Sequence, residues 1–160
     1  MTGAETAIEA VRKTVTVACS VERAFEIFTD GIGSWWPLPT HSVDGERSRG
    51  VSFEPGPDGR LVERLENGSE SVWGYVLAWE PPHRLVFSWH PGIDCARTQV
   101  HEATQVEVRF AADGDQTRVE LEHRAWERLG ERAREARDSY KTGWAPVLQR
   151  FVEAARRPAA

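Results

Sequence analysis

The sequence predicts an α+β fold, a curved antiparallel sheet of about seven strands wrapped around one long carboxyl-terminal helix. Three observations carry that expectation. Asn-Gly or Asp-Gly pairs separate alternating apolar runs at three places (58–59, 67–68 and 113–114), the strongest short-range signal for a hairpin. Pro81-Pro82 reverses a fourth run, since proline cannot continue a paired strand. The stretch 131–156 carries apolar residues at helical spacing, so strands and helices are segregated along the chain.

Taken in order, Val11, Val15 and Val17 mark a first strand. Ser20 is placed to cap a helix over 21–29, with Glu22 near its positive end and Ala24, Phe25 and Phe28 on its buried side. Gly31 and Gly33 end it, and the segment SWWPLPTHS (34–42) follows as a short helix or loop. Six strands then form a meander over 51–54, 60–65, 71–79, 85–89, 104–110 and 117–123. Val106, Val108 and Phe110 share one face of their strand, as do Val119, Leu121 and His123 of the next. The 71–79 run is apolar on both faces, and Gly74 within it marks a bulge. The terminal helix spans ~39 Å at 1.5 Å per residue, with Trp144, Val147, Leu148, Phe151 and Ala155 as its apolar stripe. Pro146 either kinks that helix or begins a new one.

The 160 residues suit one domain, 1–160, with an ordered core of about 8–156. Seven Trp, six Phe and two Tyr give a bulky interior, while a formal net charge of −5 argues against a nucleic-acid partner. The region 124–157 is locally basic, nine Lys/Arg against five Asp/Glu, which reads as a solvated helical face. Two cysteines without Cys-x-x-Cys spacing, and an amino end lacking a charged and then apolar leader pattern, point to a reducing cytoplasmic compartment. No stretch approaches the ~20 apolar residues of a membrane span, and a monomer or weak dimer is expected.

No nucleophile elbow, zinc-protease helix, phosphate loop or dinucleotide fingerprint occurs, so neither a cofactor nor a metal is expected, and a binding protein is favoured over an enzyme. His90, Cys95 and His101 cluster in sequence without the spacing of a standard metal site. The loop 91–103 is long for a hairpin connection and fits either a gate or a solvated excursion. His123 and Tyr140 are the catalytic candidates: a histidine on an apolar strand face can serve as anchor or general base, and it can equally be a hydrogen-bonded core residue. Adjacent indoles cannot share one buried spot, so one of Trp35 and Trp36 is expected to plug the core while the other faces a pocket.

The stretches VRKTVTVACSVERAFEIFTDGIGSWWP, GYVLAWEPPHRLVFSW, TQVEVRF, TRVELEHRAW and GWAPVLQRFV, in that order and spacing, resemble the activator-of-heat-shock-protein-90-ATPase homologues of the START-like (SRPBCC) helix-grip superfamily. The Trp-Trp-Pro segment and the later Gly-Trp are also similar to enediyne self-resistance proteins of that fold. The resemblance implies a cavity between sheet and terminal helix, lined by Trp35, Trp36, Phe53, Phe87, Trp89, His123, Tyr140, Trp144 and Leu148. It implies as occupant a hydrophobic or aromatic small molecule. Two other readings stand beside binding: a cofactor-free cyclase, hydrolase or self-sacrificing detoxifier of a polyketide-type ligand, and a co-chaperone-like module with a chaperone partner.

Overall fold

A computed structural model describes residues 8–89 and 102–157. Among the described residues there are seven strands: β1 (Val11–Val17), β2 (Gly50–Phe53), β3 (Arg60–Arg64), β4 (Glu70–Glu80), β5 (Arg84–Trp89), β6 (Thr104–Asp113) and β7 (Gln116–Arg124). They form a single curled sheet in the order β1-β7-β6-β5-β4-β3-β2. Every neighbouring pair is antiparallel, so β2 to β7 is the expected meander and β1 closes onto β7. Helix α1 (Val21–Phe28) follows β1, and helix α2 (Ala133–Ala155) follows β7 after a 3-10 segment at Trp126–Arg132. This is the α+β helix-grip arrangement that the sequence predicts.

Local chemistry explains most boundaries. The Ser20 hydroxyl accepts from the Arg23 amide at 3.2 Å and starts α1, whose Ala24, Phe25, Ile27 and Phe28 are buried. Helix α2 runs unbroken through Pro146, so no separate helix begins there. Proline removes one backbone bond, whereas Trp144, Val147, Leu148 and Phe151 remain buried around it and hold the helix in place. Phe28 joins the layers, meeting Phe110 of β6 at 5.9 Å and Phe151 of α2 at 5.2 Å between ring centres. Asp113 pairs with Gln116, so the two-residue turn is Gly114-Asp115, one position later than the Asp-Gly signal. Gly114 supplies its left-handed backbone at φ 67°.

The bulge lies where β4 passes β3 and β5. Leu61 faces Gly74 and Val62 faces Val72, which leaves Trp73 as the extra residue. A Cβ on Gly74 would lie 1.7 Å from the Ser88 carbonyl oxygen, and the Tyr75 amide donates to Ser88 Oγ at 2.9 Å. Glycine therefore lets β4 and β5 approach at the point where Trp73 and Trp89 meet, 5.8 Å between ring centres. Gly74→Ala is expected to lower unfolding free energy by about 2 kcal/mol, read from urea denaturation, because backbone must move to admit the methyl group. A loss under about 0.5 kcal/mol would contradict this close contact.

On the outer sheet face Glu107 is buried under a collar of guanidiniums. Arg84 donates at 2.8 Å, Arg109 at 2.6 Å, and Arg124 also bonds it. Burial alone would raise this carboxyl, but hydrogen bonds from Arg124, Arg84 and Arg109 outweigh it and hold the group at about 2.

Candidate functional site

The adjacent indoles part company as soon as the chain leaves α1. A 3-10 turn at Ile32–Ser34 directs both amides of Trp35 and Trp36 back to the Ile32 carbonyl, at 3.2 and 3.0 Å. Trp35 turns inward: its Nε1 donates to the Ile27 carbonyl at 2.8 Å, and its ring packs on Phe28 and Phe151 at 5.4 and 5.3 Å. Trp36 turns the other way, meeting Trp73 at 5.3 Å and Trp89 and Trp144 at 6.0 Å. Its Nε1 donates to the His41 carbonyl at 2.8 Å, folding 37–41 back over the ring.

A cleft of about 810 Å³ opens beside this cluster, within the usual range for small-molecule sites. One wall is the segment Thr40 to Val43; another is Leu65 with Glu70 to Trp73; α2 supplies Ser139, Tyr140, Gly143, Trp144 and Val147. Trp36 and Trp89 complete the lining. Of the nine residues singled out from the sequence, Trp36, Trp89, Tyr140 and Trp144 line this cleft, while Trp35, Phe53, Phe87, His123 and Leu148 lie outside its lining in the buried core. Phe53 packs edge-on to Phe87 at 5.3 Å, and Phe87 contacts Trp89 at 6.2 Å, so they support the wall from behind.

His123 has no exposure to solvent, and both of its ring nitrogens are occupied. An indole N–H only donates, so the Trp144 Nε1 contact at 3.0 Å makes Nδ1 the acceptor and puts the proton on Nε2. Nε2 then donates to Thr104 Oγ1 at 2.9 Å, and the threonine hydroxyl passes its own hydrogen to the Trp89 carbonyl at 2.9 Å. Burial drives this imidazole down to about 3, so it is neutral at physiological pH. Trp126 lies across the ring at 4.0 Å between centres and donates to the His123 carbonyl at 2.7 Å. The resulting chain fixes the Trp144 indole plane against the cleft and leaves His123 no free lone pair with which to take a proton.

Sequence reasoning missed Trp73, which lines the cleft, and Glu63, the acid that holds it from behind. Fully buried, Glu63 accepts from the Val43 amide at 2.8 Å, the Asp44 amide at 3.1 Å and Trp73 Nε1 at 3.2 Å. One carboxylate thereby ties the 40–43 wall to the bulged strand. The signal was its parity with Leu61 on β3, an acid on an apolar face. Glu63→Ala is expected to cost about 3 kcal/mol in denaturation, since three donors lose their acceptor, and to speed hydrogen exchange at the Val43 and Asp44 amides. Unchanged exchange there would contradict the clamp.

His90, Cys95 and His101, and all of the 91–103 loop except Glu102 and Ala103, lie outside the described residues. Among the described residues no group of three or more His, Cys, Asp or Glu is arranged to hold a metal, and no helix is long and apolar enough to cross a membrane.

A family model described as activator of Hsp90 ATPase homolog 1-like protein matches residues 18–156. The chain belongs to this family. Among solved structures similar to this family member is an anthrahydroquino-γ-pyrone synthase, Txn09, in a complex: 38% identity, 92% of this chain and 97% of that one covered, TM-score 0.60. Another is the self-sacrificing resistance protein CalC from Micromonospora echinospora, with 29% identity, 92% and 94% coverage and a TM-score of 0.65. The Aha1 dimer from Colwellia psychrerythraea, at 16% identity, 92% and 96% coverage and TM-score 0.63, shares the fold. No curated protein matches the chain.

Proposed function

We propose that this family member binds a hydrophobic, polycyclic aromatic small molecule of polyketide type in the cleft between the bulged strand β4, the 40–43 wall and α2. The observation that carries the reading is the cleft lining itself: Trp36, Trp73, Trp89, Tyr140 and Trp144 around about 810 Å³. Aromatic faces set at angles to one another offer offset and edge-on packing to a flat guest, and each such pair adds about 1 kcal/mol beyond area burial. Likeness to an anthrahydroquino-γ-pyrone synthase and to a self-sacrificing resistance protein supports the same ligand class.

Titration with anthraquinone-2-sulfonate, followed by tryptophan fluorescence, tests it. Saturable one-to-one quenching is expected, because four indoles border the site. Absence of any saturable change up to the probe's solubility would count against the reading.

A second reading, that the protein closes a ring on such a ligand without a cofactor, is favoured by the 38% identity to the synthase. In that case Tyr140, on the cleft, is the group placed to move a proton, and neutral His123 positions Trp144 from behind. Turnover of a linear or partly cyclised polyketide that survives in Tyr140→Phe would remove that role.

A further inference from the structure

The protein satisfies its buried indole donors almost completely. Trp35, Trp36 and Trp126 give their N–H groups to backbone carbonyls, Trp73 to Glu63, and Trp144 to His123. Trp79 is only partly buried. Trp89 is the exception, more than nine-tenths buried with no acceptor for its Nε1 hydrogen. An orphaned buried donor is uncommon in native proteins and calls for an explanation.

That donor belongs to a cleft residue and lies beside another. Tyr140 crosses Trp89 at 6.1 Å between ring centres and 87° between planes, and both residues line the cleft. Desolvation pushes the phenol above its ordinary 10, and its interaction with the Trp89 side chain draws it part of the way back. The unmatched Trp89 donor and the Tyr140 phenol are thus poised next to each other at the cleft.

Resting on the binding reading above, we propose that Tyr140 and Trp89 form a two-step polar anchor that selects aromatic guests carrying a peripheral carbonyl, quinone or pyrone oxygen. The Tyr140 hydroxyl donates to that oxygen, and a small shift of the phenol lets its own oxygen accept from Trp89 Nε1. Each bond strengthens the other, because a phenol that accepts becomes a better donor. A bare hydrocarbon fills the same space and leaves both groups unmatched. One ordinary neutral hydrogen bond gained on binding corresponds to about a tenfold preference.

The test pairs anthraquinone-2-sulfonate with anthracene-2-sulfonate, which share a three-ring carbon skeleton and carry C=O or C–H respectively at the two central-ring positions, by calorimetry on the whole protein. Wild type is expected to bind the quinone about tenfold more tightly. Tyr140→Phe is expected to equalise the two by weakening the quinone alone. Nitrogen-proton correlation spectra need no variant: the Trp89 indole signal is expected to move downfield with the quinone and to stay near its free position with the hydrocarbon. Equal affinities in wild type, a preference that survives in Tyr140→Phe, or an unmoved Trp89 signal would each overturn the anchor while leaving the binding reading intact. If neither probe binds, the binding reading falls and takes the anchor with it.

Discussion

Trp36→Ala is expected to lower stability by about 4 kcal/mol and to weaken binding of a planar aromatic probe at least tenfold. Trp36 is buried among Trp35, Trp73, Trp89 and Trp144, and its N–H fixes the His41 carbonyl, so truncation opens a void and frees the wall that folds over it. The stability loss belongs to packing, since the surrounding rings come from β4, β5, α2 and the neighbouring Trp35 and cannot all collapse inward. The affinity loss belongs to the cleft, whose lining includes this indole. Trp36→Phe separates the two: it keeps a ring and gives up the His41 bond, so it is expected to cost about 2 kcal/mol and to retain most of the affinity. Urea denaturation and fluorescence titration of both variants read the two quantities independently.

Acid is expected to remove about 3 kcal/mol of stability between pH 7 and pH 4 through His123 alone. In the unfolded chain this imidazole titrates near 6.5, while in the fold it stays neutral down to about 3. Throughout that window the unfolded state binds the additional proton. Stability is therefore complete above 6.5 and declines as the pH falls toward 3, by up to about 1.4 kcal/mol per unit. Glu107 acts in a lower window: its folded value of about 2 lies below its unfolded 4.5, so its contribution is lost only as the pH drops through that range. The part of the slope above pH 5 thus isolates the histidine. His123→Gln keeps an acceptor for Trp144 and a donor for Thr104 but does not titrate; it is expected to flatten that slope. A wild-type profile that is level from pH 7 to pH 5 would contradict the sealed, neutral imidazole.

Much of the meander was legible because turns among the described residues leave a local trace: left-handed residues at 58, 68 and 114, or prolines at 81 and 82. The helical stripe on α2 was equally plain, and buried Trp144, Val147, Leu148 and Phe151 keep the helix continuous through Pro146. Side-chain direction was harder to read wherever period two fails. The bulge at Trp73 leaves that residue without a partner on β3, so strict alternation from either end of the strand misplaces it. Alternation put Glu107 on the outer face, and there it is, yet buried, because three arginines from β5, β6 and β7 converge on it. Arg109 is the i+2 neighbour on the same strand face, but Arg84 and Arg124 are 23 and 17 residues away, distances at which no local pattern operates.

The candidate site follows the same division. That one of the adjacent indoles would plug the core while the other faced a pocket could be reasoned from neighbouring positions on a tight turn; both rings are buried, and Trp36 alone of the two lines the cleft. His123 could be placed on its apolar strand face from sequence, but its partners Thr104 and Trp144 lie 19 and 21 residues away, on β6 and α2. Only their convergence shows that both nitrogens are used. Glu63 shared the parity of Leu61 all along, and the amides it holds come from a segment about 20 residues earlier that has no regular secondary structure of its own.

Gly143 offers the most direct test of the cleft as the ligand site. It lines the cleft from α2, and a Cβ there meets nothing within 4 Å. Gly143→Phe therefore directs a ring into the cleft from a position where the backbone tolerates it, and phenylalanine is the better helix former. Calorimetry with anthraquinone-2-sulfonate is expected to show at least a tenfold loss of affinity in a variant as stable as wild type. Undiminished affinity in that folded variant would place the guest elsewhere and contradict the account.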